Sequence, residues 1–265
     1  MLGSGVNRYE RWTKLLEMIA EDGQLEIEPT AEVLGVSTAT IRRDFDELAS
    51  QQLVTRTRGG ACAHSVAYDL PLRFKVARHA PEKQRIAAAA AALVDSGVIV
   101  GLNGGTTTTE VARALATRAD LNDDPRAAVT IVTNALNIAS ELVVRQHIRL
   151  VTTGGMTRTQ SYELVGPIAA ASLEAIALDV AILGVDAIDT HHGASAHNDG
   201  EAAINALMAR RAKRLIIVAD SSKLEKRALF RICPVGDIDT LVTDQTATPE
   251  QIKPFANAGV NVVRA

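Results

Sequence analysis

The chain has 265 residues, 47% hydrophobic and only 3% aromatic, with 28 Lys and Arg against 31 Asp and Glu for a net charge of −3. That length allows two ordinary domains, and a core of Ala, Val, Leu and Ile is typical of parallel sheets covered by helices. The balance excludes a uniformly basic nucleic-acid binder, so any basic surface has to be local.

Two cysteines, Cys62 and Cys233, fit no metal or redox spacing. The longest apolar run, Ile86 to Val94, is too short to cross a bilayer, and Arg8, Glu10, Arg11 and Lys14 interrupt any leader. A soluble protein of the reducing cytoplasm is expected.

Trp12, Leu15, Leu16 and Ile19 recur at i, i+3, i+4 and i+7, and Gly23 follows, so a first amphipathic helix is predicted to end near Glu21. A short strand is expected at Gln24 to Ile27. Pro29 suits the start of a second helix through Ala31, Val33 and Leu34, and Gly35 turns the chain. Ser37 then caps a third helix in which Ile41, Phe45 and Leu48 form an apolar stripe, while Thr38, Arg42 and Arg43 point elsewhere. Hydroxyls and guanidinium groups in the first turns of such a helix suit the major groove of DNA.

Leu53 to Arg56, followed by Thr57, Arg58, Gly59 and Gly60, reads as a hairpin wing. Arg42, Arg43, Arg56 and Arg58 gather at one end of this segment, and Glu17, Glu21, Asp22, Glu26, Glu28 and Glu32 precede them. The plainer reading, a solvated arginine pair and an ordinary cap, explains neither the turn nor the wing in register.

Val36-Ser37, Thr40-Ile41-Arg42-Arg43-Asp44 and Arg56 followed by Gly59-Gly60-Ala61 resemble the winged helix-turn-helix signature of the DeoR family of bacterial transcriptional regulators. The resemblance implies operator contacts by Arg42 and Arg43 with the wing in support, and a DNA-binding set of Ser37, Thr38, Thr40, Arg42, Arg43, Arg56 and Arg58. Thr30 departs from a usual apolar residue, Phe45 from Leu, Arg58 from His, and Gln52 from a Gly that often ends the helix. Gln52 would then need a left-handed or distorted cap. The expected organisation is a winged helix-turn-helix at residues 1–61, a linker at 62–81 carrying Arg73, Lys75 and Arg78, and an α/β effector-binding and oligomerisation domain at 82–265.

In that second domain a helix opens at Glu82 and runs to Asp95, and a strand follows at Val98 to Leu102. Further strands are predicted at Val129 to Thr133, Arg149 to Thr152, Val180 to Val185, Arg214 to Ala219 and Thr240 to Thr243, with helices between them. This α/β alternation implies a mainly parallel sheet. Where the first strand ends, Asn103-Gly104-Gly105-Thr106-Thr107-Thr108-Thr109 combines glycines, hydroxyls and a helix start, the makings of a phosphate cradle. No lysine follows in nucleotide-loop spacing, which argues against a nucleoside triphosphate.

The DeoR effector domain is similar to the sugar-phosphate isomerase fold, and the resemblance implies a phosphorylated-sugar site. Thr106, Thr107 and Thr108 would hold phosphate and Lys223 would add a cation. Asn134, Asp186, Asn198 and Glu201 would meet hydroxyls, with Asn103, Gly104, Gly105 and Gly155 completing the site. The plainer readings are turn-stabilising asparagines and a solvated lysine. His191-His192 matches no metal spacing.

No catalytic residue, cofactor or metal is expected. The function implied is a homo-oligomeric repressor of sugar-metabolism genes, dimeric or tetrameric, with double-stranded operator DNA and a phosphorylated sugar as partners. The alternative is an aldose–ketose isomerase fused to a DNA-binding module, with Glu201 or Asp186 as base. The chain has Asp186-Ala187-Ile188-Asp189-Thr190 where isomerases of the similar fold carry an Asp-Gly-Ala-Asp-Glu run.

Overall fold

A computed structural model describes residues 7–51, 53–63, 72, 79–121 and 128–265. The chain divides into two compact units, Met1–Arg78 and His79–Ala265.

In the first unit Asn7 and Glu10 form a reciprocal capping box that starts α1 (Arg8–Asp22), and Gly23 at φ 77° ends it. After β1 (Gln24–Glu26), α2 spans Ile27–Leu34, so Pro29 lies inside the first turn rather than opening the helix. No backbone hydrogen bond is lost there, because the first-turn amides have no intrahelical partner. Thr30 is buried, yet its hydroxyl donates to the Glu26 carbonyl at 2.5 Å, which is how a polar residue occupies this apolar position. Gly35, at φ 64°, makes the left-handed turn into α3 (Thr38–Ser50).

β2 (Val54–Arg56) and β3 (Gly60–Ala63) form the wing hairpin, and β1 pairs antiparallel with β3 to complete a three-stranded sheet. A Cβ on Gly60 would lie 1.8 Å from the Leu25 carbonyl oxygen, so this pairing requires glycine. Trp12, Leu15, Leu16 and Ile19 of α1 pack with Ile41, Phe45 and Leu48 of α3 in one core. The expected cap at Gln52, and most of the expected linker with Arg73, Lys75 and Arg78, lie outside the described residues.

The second unit begins with α4 (Ala80–Ala92), whose buried Ala87, Ala90 and Ala91 permit close approach to its neighbours. The alternation continues through β4 (Ile99–Leu102), α5 (Thr106–Ala116), β5 (Thr130–Thr133), α6 (Leu136–Leu142) and β6 (Arg149–Thr152). A two-stranded hairpin follows, β7 (Met156–Arg158) with β8 (Glu163–Val165), then α7 (Pro167–Glu174) and β9 (Leu178–Gly184). The chain proceeds through β10 (Ala187–Asp189), β11 (Gly193–Ala196), α8 (Asp199–Arg211), β12 (Ala212–Val218) and β13 (Phe230–Cys233). It finishes with β14 (Thr240–Thr243), α9 (Pro249–Asn257) and β15 (Asn261–Arg264).

Seven of these strands form one wholly parallel sheet in the order β15-β14-β12-β9-β4-β5-β6. Val180 and Ile182 of β9 face the layer of α4, α5 and α6, while Ala181 and Leu183 face that of α7, α8 and α9. The sheet is therefore buried on both sides, as its near-continuous apolar strands require. The chain runs outward from β4 to β6, then returns at β9 on the other side of β4. That reversal is the topological switch point, and folds of this class bind ligands in the crevice outside the carboxyl ends there, here those of β4 and β9. No described helix is long and apolar enough to cross a membrane.

Candidate DNA-reading helix and anion site

Ser37 lies in extended backbone, and its hydroxyl accepts the Thr40 amide at 3.1 Å and meets the Thr40 hydroxyl at 2.9 Å. The two residues thus set the start of α3 and the direction it takes. Thr38, Arg42 and Arg43 are exposed, and neither arginine makes a hydrogen bond or ion pair with the described residues. Asp44, the next residue, turns inward: it is 3% exposed and accepts from Arg11 at 2.5 and 3.1 Å and from the Trp12 indole at 2.8 Å. That buried pair locks α3 onto α1, and the hydrogen bond to Asp44 is the main reason the Arg11 guanidinium holds its proton more tightly than usual. Arg11 and Asp44 are functional scaffold that the helical pattern does not reveal, since a carboxylate beside two arginines reads as surface.

The wing arginines differ. Arg56 bonds Asp46 at 2.8 Å and the Gly60 carbonyl, and its guanidinium lies 5.8 Å from the centre of the Phe45 ring. It braces the hairpin against α3. Arg58 stands exposed at the hairpin turn.

In the second unit the loop from β4 to α5 lies at the crevice. Gly105 takes φ 144°, accessible to glycine, and accepts the Thr109 amide at 3.0 Å. The hydroxyls of Thr108 and Thr109 turn back onto the Gly105 carbonyl at 3.2 and 2.7 Å. Those of Thr106 and Thr107 bond to none of the described residues. The first-turn amides of an eleven-residue helix and these two hydroxyls form a donor set suited to an anion.

Other predicted ligand residues are tied to the scaffold. Asn103 is 1% exposed; its amide donates to the Gly184 carbonyl and accepts the Gly184 amide, both at 2.9 Å, clamping β4 to β9. A carboxylate lacks the donor for this exchange, which accounts for a neutral side chain here. The Gly104 amide donates to Glu163 at 2.8 Å, and Asn134 donates to the Leu164 carbonyl at 3.2 Å and to Glu163 at 3.4 Å. The Oδ1 of Asn134 is buried without a partner among the described residues. Gly155, at φ 122°, packs against the Val165 carbonyl and Ala169.

Asp186 accepts the His197 amide at 2.9 Å, and Asn198 caps α8 by accepting the Glu201 amide at 3.1 Å. Glu201 pairs with Arg158 at 2.9 Å, and Lys223 donates to the Val185 carbonyl at 2.5 Å. These bonds gather Asn103, Gly104, Asn134, Asp186, Glu201 and Lys223 around one sheet edge. Arg158 and Glu163, on a hairpin with no strong sequence pattern, join them unforeseen. Burial, then the charge of Glu201, pushes the Glu163 carboxyl up to about 8. His191 and His192 donate their backbone amides to Asp189, and among the described residues no cluster of His, Cys, Asp or Glu is arranged to hold a metal. A cavity of about 510 Å³ beside Ala212, Lys213 and Leu215 lies at the amino end of β12, away from this edge.

A helix-turn-helix with a hairpin wing, carried in one chain with an α/β unit whose strand ends suit a small anion, defines a ligand-responsive transcriptional regulator. Residues 11–66 match the DeoR-like helix-turn-helix domain and residues 78–245 the DeoR C terminal sensor domain. The chain belongs to the DeoR family.

It is 32% identical over 256 residues to the HTH-type transcriptional regulator GlpR of Haloferax volcanii, covering 96% of both chains. It is 31% identical to the HTH-type transcriptional repressor CsqR of Escherichia coli, over 89% of this chain and 87% of that one. It is 29% identical to the Glycerol-3-phosphate regulon repressor of Escherichia coli, over 89% and 90%. Among solved structures, ribose 5-phosphate isomerase A of Methanocaldococcus jannaschii is 20% identical with a TM-score of 0.40, over 55% of this chain and 54% of that one. That likeness is too loose to bear on function.

Proposed function

We propose that the chain represses genes for the use of a sugar or related metabolite, and that a phosphorylated form of that metabolite, bound at the strand-end crevice, changes its affinity for a double-stranded operator. The observation that carries this reading is the donor set at the start of α5, placed where the strand order reverses. In support, Arg42 and Arg43 project from a helix fixed by a buried ion pair and are unpaired among the described residues, the arrangement required to read a groove. Residues 1–61 would read DNA, 62–81 connect, and 82–265 sense the metabolite and self-associate. Paired half-sites favour a dimer or tetramer acting in the cytoplasm. The metabolite acts only through a difference in affinity for the operator-competent and released states.

The same reading treats the chain as a binding protein and not an isomerase. Glu201 is occupied by Arg158, and Asp186 by the His197 amide, so neither is placed as a free base. The test is a titration of the complex with promoter DNA, followed by fluorescence anisotropy, against a panel of sugar and polyol phosphates. At least one should shift the operator affinity; no response to any member refutes the sensor role. Turnover of a pentose or hexose phosphate by the purified protein would refute the non-enzymatic reading.

A further inference from the structure

Glu163, 2% exposed on β8, lies directly against the loop that precedes α5. One of its oxygens accepts the Gly104 amide at 2.8 Å, and a Cβ on Gly104 would stand 2.3 Å from its Cγ. Its carboxyl also feels the charge of Glu201, whose Oε1 takes the Arg158 guanidinium at 2.9 Å. Burial, and then that like charge, disfavour the ionised form of Glu163. The amides of Gly104 and Asn134, which donate to it at 2.8 and 3.4 Å, favour the charged form and are outweighed. Glu163 is therefore held as the neutral acid.

We propose that Glu163 is a positioning residue of the anion site: as the neutral acid it holds the Gly104 amide and the first turn of α5, and as the carboxylate it repels an anion from that turn. This rests on reading the start of α5 as the anion site. The groups that face Glu163 are Glu201 from α8, Arg158 from β7 through Glu201, Asn134 at the end of β5, and the Gly104 amide. Burial places the change of charge in mildly alkaline solution.

The full-length protein is titrated calorimetrically with inorganic phosphate from about pH 6.5 to about pH 9.5, beside Glu163→Gln, which keeps the acceptor for Gly104 and is neutral throughout. Comparing the two proteins cancels the titration of phosphate itself. Wild type should match the variant at the acidic end and fall behind it by about tenfold or more at the alkaline end, the effect of one added charge in a partly buried site. Parallel profiles overturn the positioning role while leaving the anion site intact. Absence of phosphate binding by both proteins at every pH overturns the anion site, and this inference with it. If Glu163→Gln does not fold, wild type is titrated with sulfate, whose charge is constant over the range; a flat profile then overturns the proposal.

Discussion

Replacing Asp44 with Ala removes the acceptor for three hydrogen bonds, two from Arg11 and one from the Trp12 indole, and takes the carboxylate out of a largely buried ion pair. Removing the carboxylate from a buried ion pair costs about 3–5 kcal/mol. The first unit rests on a single core in which Trp12 packs with Ile41, Phe45 and Leu48, so a loss of that size is a large fraction of a small unit's stability. In denaturant the Trp12 fluorescence of Asp44→Ala should report a midpoint well below that of wild type, with the second unit's transition unmoved. DNA binding should be lost through unfolding, and recover partly at low temperature or with stabilising osmolyte. A variant that keeps its fluorescence midpoint yet loses DNA binding would show that Asp44 acts on DNA and that the buried-pair argument is wrong.

Arg42→Ala and Arg43→Ala should do the reverse, weakening operator binding by about 1–3 kcal/mol for a residue that reads a base and lowering the salt slope for one that meets phosphate, with unfolding unchanged. Anisotropy across a salt series separates the two roles. Gly104→Ala should destabilise the second unit by about 1–3 kcal/mol, because the new methyl meets Glu163 at 2.3 Å; an unchanged melting temperature would contradict that packing. Glu163 also gives stability a pH dependence. Its carboxyl is raised from an ordinary 4.5 to about 8, so its contribution is fully present below about 4.5 and is lost as pH rises through about 8. Glu163→Gln should flatten that fall in a pH series of chemical unfolding, and identical slopes in the two proteins would sink the assignment.

The fold was legible wherever periodicity spoke. Ile41, Phe45 and Leu48 mark the buried face of α3, and the apolar runs ending at Leu102, Thr133, Thr152 and Thr243 mark the strands of the parallel sheet. What escaped were short elements whose pairing is decided by distant partners. The β7–β8 hairpin, the β10-β11-β13 sheet and β15 are three or four residues each, no shorter than β4 or β14, but they lack the flanking turn-and-helix alternation and apolar run that mark the central strands. The same limit hid Arg158 and Glu163, whose importance comes from Glu201 and Gly104, far away in sequence.

The polar residues at the strand ends were visible in sequence, but what each is bonded to was not. Asn103 spends both ends of its amide on Gly184, Asn198 spends its acceptor on the Glu201 amide, and Lys223 meets the Val185 carbonyl. Among the described residues, the donors that these bonds leave open are chiefly the α5 amides with Thr106 and Thr107. Backbone amides recognise negative charge and cannot distinguish one sugar from another. If a phosphate sits on that turn, discrimination among sugars must come from groups reaching the other end of the ligand, and substitutions at Thr106 should weaken all phosphorylated ligands alike. A Thr106→Val variant that changed the order of preference within a sugar phosphate panel, instead of lowering every affinity together, would place the hydroxyl end of the ligand at α5 and reverse this orientation.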